Sequence, residues 1–132
     1  MIEREDIYLS KARESLAGAE SEHVNGRYNN CANRCYYSAF QAAVAALEAS
    51  GVPAAHSGGV WSHAGVQAEF ATQLVRRRKR YSSALHATLV RNQALRNTAD
   101  YELHWVTEAQ AERAVRRTRT FVEAVEQGGS RL

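Results

Sequence analysis

Apolar residues recur along this chain at three- and four-residue steps, the spacing of helices with one buried face, while alternation with a period of two is scarce. The first helix is expected from about Glu3 to Val24, with Ile7, Leu9, Leu16 and the small Ala12 and Ala19 facing inward. Asn25-Gly26-Arg27 supplies its stop, Gly26 being suited to a left-handed cap. A second helix, from about Tyr28 to Ser50, is the most apolar segment, and Tyr36, Phe40, Ala43, Val44 and Leu47 form its core stripe. Gly51 and Pro53 end it. After a loop holding Pro53 to Gly59, a third helix covers roughly Val60 to Val75 and buries Val66, Phe70 and Leu74. The fourth spans about Tyr81 to Thr98 on Leu85, Leu89 and Leu95. Thr107 with Gln110 makes a capping box for a last helix over 108–126.

Connections this short favour antiparallel neighbours. The expected architecture is all-α, an antiparallel up-down bundle of four main helices plus a shorter one. Residues 1–127 form that single domain and 128–132 a flexible C-terminal tail.

A chain of 132 residues buries one useful core without staples. No apolar run approaches the ~18 residues of a membrane span, and the opening Met1 to Ser10 is acidic rather than signal-like, so a cytoplasmic protein is expected. Cys31 and Cys35 stand four apart on one helical face and match no common zinc spacing, which points to buried free thiols and no metal. The net charge of +3 gathers in Arg76 to Arg80 and in Arg113 to Arg119. Such runs steer polyanions, and they also serve as solvated helix ends.

Three short motifs follow one another in order: Tyr36-Tyr37-Ser38-Ala39-Phe40, then His56-Ser57-Gly58, then Arg96 with Asp100-Tyr101. Together, on an all-α background, they resemble one branch of the HEPN domains, small helical bundles of bacteria and archaea. The resemblance implies contact with RNA or nucleotides, a homodimer, and a toxin-antitoxin or defence setting in which a minimal nucleotidyltransferase acts as antitoxin. It implies no cofactor. Many members are metal-independent ribonucleases whose signature is an arginine, an adjacent polar residue, and a histidine after four to six intervening residues. Others are noncatalytic modules that regulate their partner.

This chain has Arg96 and Asn97, but Tyr101 stands at the four-residue spacing and His104 comes after seven intervening residues. As a ribonuclease it would use Arg96 to hold phosphate and His104, or else Tyr101, to handle protons, with Asn97, Asp100, Arg34 and Tyr37 binding substrate. A tyrosine with a pKa near ~10 is a poor base at neutral pH. Each residue also has a plain reading. Arg96 and Asp100 can brace each other one turn apart, Tyr101 can bury its ring with a bonded hydroxyl, and His104 can be a surface residue before the last helix. Tyr36 and Tyr37 cannot face the same way, and Tyr36 fits the core stripe. Asn33 and Arg34 lie on the polar side, within reach of Arg96 and Asp100. His56 and His63 are too loosely spaced for a metal site.

Overall fold

Small side chains set the closest approach in the bundle. On α1 (Arg4–Val24), Ala12, Ser15 and Ala19 are buried against the alanine-rich face of α2 (Tyr28–Ala49). The backbones come near enough there for the Ser38 hydroxyl to donate to the Ala12 carbonyl at 2.8 Å. Cross-links from Arg4 to Glu48 at one end and Asn30 to Glu22 at the other show the two helices running antiparallel. The computed structural model describes residues 3–54 and 61–129. Within them lie α1, α2, α3 (His63–Glu69) with a π-helical continuation (Phe70–Arg77), α4 (Ser83–Tyr101) and α5 (Glu108–Glu126). The up-down bundle holds. α5 runs antiparallel to α1 through Arg13–Glu126 and Arg119–Glu20, and α4 runs antiparallel to α2 through Asn33–Asp100 and Asn92–Cys35.

Phe70 fixes the packing of the short element, its ring 5.4 Å from that of Tyr81 and 5.3 Å from that of Phe121. The π-helical stretch brings Phe70, Ala71 and Leu74 to the core together. Gly26 has the positive φ expected of a cap, and both halves of the Thr107–Gln110 capping box form. Both cysteines are free and buried. Hydrogen bonding to Cys31 and burial push the Cys35 thiol far up, so it stays protonated.

Several boundaries differ from expectation for identifiable reasons. Ile7 is 46% exposed. At about 100° per residue it lies roughly 110° from the Tyr8, Ala12, Ser15, Ala19 stripe that α1 turns inward. The third helix starts at His63 because Ser62 caps it, its side chain accepting from the Gly65 N–H at 3.0 Å. α4 starts after the Ser82 cap and continues to Tyr101 rather than Thr98, so Asp100 sits inside the helix. Gly128 and Gly129, assigned to the tail, close α5 by donating to Val125 and Ala124, and Arg80 holds the Gly128 carbonyl at 2.8 Å. Among the described residues no helix is long and apolar enough to cross a membrane.

Asn92 is buried where three helices meet. Its amide donates to the Cys35 carbonyl at 3.2 Å and the Thr118 hydroxyl at 2.9 Å, and its carbonyl accepts from Arg117 Nε at 2.8 Å. Removing it leaves several buried polar groups unpaired at once. Asn92→Ala should therefore lower the unfolding free energy by about 2–3 kcal/mol in urea titration, against about 1 kcal/mol for the capping change Thr107→Ala. Equal losses would show that Asn92 is an ordinary side chain.

Candidate functional site

The aromatic pair of α2 divides as its helical spacing requires. Tyr36 is 3% exposed and packs on Phe40, while Tyr37 is half-buried at the surface. Their rings meet edge to face at 5.1 Å. Arg96 from α4 lies over both, its Cζ 4.7 Å from the Tyr36 ring centre and 5.4 Å from that of Tyr37. Arg96 Nε also donates to Asp100 Oδ2 at 3.3 Å, one helical turn away. The same oxygen accepts from Asn33 Nδ2 at 3.2 Å, and Arg34 Nη2 donates to Asn33 Oδ1 at 3.0 Å while its guanidinium rests 5.1 Å from the Tyr37 ring centre.

Magnitudes decide what positions Arg96. A surface ion pair between residues one turn apart contributes about 0.3–0.5 kcal/mol. A guanidinium over an aromatic face contributes about 0.5–2 kcal/mol as water is excluded, and here there are two faces. The tyrosines hold Arg96, and Asp100 orients it.

His63 joins this cluster from the first turn of α3. Its Nδ1 is hydrogen-bonded to the Tyr36 hydroxyl, and its ring stacks on Tyr36 at 5.3 Å and lies 4.7 Å from Phe40. Burial of part of the ring, and next the positive charge of Arg96, lower the pKa of His63 from its usual 6.5. Burial pushes the Tyr36 hydroxyl up, so that group is neutral. A cation, a neutral imidazole and a neutral phenol therefore meet at one junction of α2, α3 and α4.

Of the residues singled out by sequence, the structure brings Arg96, Asp100, Arg34 and Tyr37 together, with Asn33. Asn97 is exposed on α4 and makes no side-chain hydrogen bond among the described residues. Tyr101 is not buried as its plain reading held; it is 74% exposed at the end of α4. His104 is exposed in the connection to α5, between Leu103 and Trp105, which are themselves exposed. His56 and Ser57 lie outside the described residues. Sequence reasoning missed His63, which follows a loop that no periodicity could position. Of the basic runs, Arg78 and Arg80 are occupied holding the Ser50 and Gly128 carbonyls, and Arg116 and Arg119 pair with Glu112 and Glu20. Among the described residues no group of histidine, cysteine and carboxylate side chains forms a metal site.

Residues 6–128 match the HEPN domain, and the chain belongs to that family. No curated protein matches it.

Protonating His63 is harder in the folded chain than in the unfolded one. Its contribution to stability is therefore lost as pH falls from above the unfolded value of 6.5 toward the lower folded value. Imidazole NMR should show His63 titrating below 6.5, and Arg96→Met should raise that midpoint. An unchanged His63 midpoint would mean that Arg96 does not act on it.

Proposed function

We propose that this HEPN protein acts on RNA as a metal-independent endoribonuclease, with Arg96 and His63 as its working pair. The observation that carries the reading is the meeting of a fixed guanidinium and an imidazole kept neutral near pH 7. Strand cleavage through a ribose hydroxyl needs both: a base for the 2'-hydroxyl proton and a cation for the charge that builds on the phosphate oxygens.

With Nδ1–H donated to the Tyr36 oxygen, His63 Nε2 keeps its lone pair and takes the 2'-hydroxyl proton. The freed oxygen attacks the neighbouring phosphorus, the bond to the 5'-oxygen breaks, and the imidazolium returns the proton to that leaving oxygen. The products are a 2',3'-cyclic phosphate and a 5'-hydroxyl. Arg96 balances the phosphate charge while Asp100 and Asn33 hold it in place. Tyr37 and Arg34 offer a face on which a base stacks, and Asn97 borders the same stretch of α4. His104 takes the base's place only if the connection before α5 folds back over the site.

A homodimer, a toxin-antitoxin or defence setting and a nucleotidyltransferase antitoxin complete the proposal. The exposed Tyr101, Leu103 and Trp105 at the end of α4 give an apolar surface for such association. One observation favours a second reading, a noncatalytic nucleotide- or partner-binding module: Arg96 is already paired within the chain with Asp100.

The two readings separate in a cleavage assay on structured RNA with a chelator present. The ribonuclease reading expects cyclic-phosphate ends, a rate about 100-fold or more lower in Arg96→Ala and in His63→Ala, and near-wild-type cleavage in His104→Ala. No cleavage by the wild-type chain, with stable copurification of a nucleotidyltransferase, gives the second reading.

A further inference from the structure

A second cationic site opens on another face of α4. Arg91 and Thr98 on α4, with Gln110, Arg113 and Arg117 on α5, line a cavity of about 280 Å³ floored by Leu95 and Ala94. Arg113 and Arg117 are one turn apart and share a face of α5, and Arg91 approaches from α4. Among the described residues none of the three pairs with a carboxylate, and no acidic residue lines the cavity. Arg116 and Arg119, on the same helix, are both paired. The lack of counter-charge is therefore local to the cavity.

Holding three guanidinium groups together opposes folding unless something offsets their repulsion. Arg117 is the most constrained of them. It is partly buried with Nε spent on Asn92, and its Nη groups make no hydrogen bond among the described residues. Burial, together with the charges of Arg91 and Arg113, depresses its pKa. Guanidinium forks pair two N–H groups with two oxygens of a phosphate, and several forks around one pocket match a chain of adjacent phosphates better than a single carboxylate.

We propose that Arg91, Arg113 and Arg117 form a binding site for linked phosphate groups, separate from the Arg96 cluster. At about 100° per residue, the Arg91, Leu95, Thr98 face of α4 lies roughly 150° around the helix from Arg96 and Asp100. One ligand therefore does not fill both sites through contacts to the same face. The shared chemistry is the phosphate chain, carried by a nucleoside triphosphate or by consecutive phosphates of an RNA strand.

Calorimetric titration with inorganic tripolyphosphate, on the full chain at moderate salt, tests this. The expected result is saturable binding that weakens at least tenfold in the exposed double variant Arg91→Gln/Arg113→Gln and by much less in Arg96→Ala. Removing the same charge elsewhere, with Arg76→Gln/Arg77→Gln, should change the affinity less than threefold. Parallel titrations of the wild-type chain and the Arg91→Gln/Arg113→Gln variant with ATP and with a single-stranded RNA lacking a 5'-triphosphate identify the natural source: a larger loss for ATP in the variant assigns a nucleotide, and a larger loss for RNA assigns a strand. Absence of saturable tripolyphosphate binding, or equal loss in both double variants, overturns the site. Loss in Arg96→Ala alone would transfer the binding to the other cluster and overturn the proposal as stated.

Discussion

Asn92 fixes the rotation of α4, and that rotation decides what each face of the helix offers. Its amide is committed to the α2 backbone and an α5 hydroxyl in the interior, and its carbonyl to the partly buried Arg117. A turn of α4 about its axis would break all three bonds and bury unpaired polar groups, at a cost of several kcal/mol by order of magnitude. With α4 pinned, Arg96 one turn later is carried onto the tyrosines of α2, while Arg91 and Thr98 are carried toward α5. A leucine at Asn92 would pack the same space without specifying the angle.

In the Arg96 cluster a family landmark keeps its arginine while no histidine stands at the expected spacing on α4. The guanidinium is held between aromatic faces and a carboxylate, which pre-orders it without discharging the site: its side chain remains 20% exposed. His63 reaches the cluster from a different element, so its imidazole arrives by tertiary packing rather than by spacing along α4. Its lowered proton affinity follows from the same closeness, because the cation that would balance phosphate also disfavours a second positive charge beside it.

Much of the architecture was legible in periodicity. The helix order, the Gly26 stop, the capping box at Thr107 and the inward Tyr36 follow from local rules, and the Asn33–Asp100 contact followed from placing two polar faces opposite one another. What was not legible depended on distance in sequence. Ile7 reads as core by composition, yet the exposed face of α1 carries it because smaller residues permit the closer α1–α2 approach. His63 carries no signal in periodicity, since its place beside Tyr36 depends on the Ser62 cap that starts α3 and on packing against α2. Asn92 reads as one more polar residue on an amphipathic helix, and only the packing of three helices shows that it points inward. The α4–α5 cavity draws on two helices whose arginines look, in sequence, like solvated faces.

The proposed pairing of Arg96 and His63 in one RNA site within a single chain is open to direct measurement. NMR titration of a non-cleavable 2'-deoxy oligonucleotide into protein labelled at arginine side chains and imidazoles measures this directly. The Arg96 Nε–H and His63 ring resonances should shift together and saturate at one midpoint while the His104 resonances stay still. Movement of Arg96 with His104, and a static His63, would contradict it.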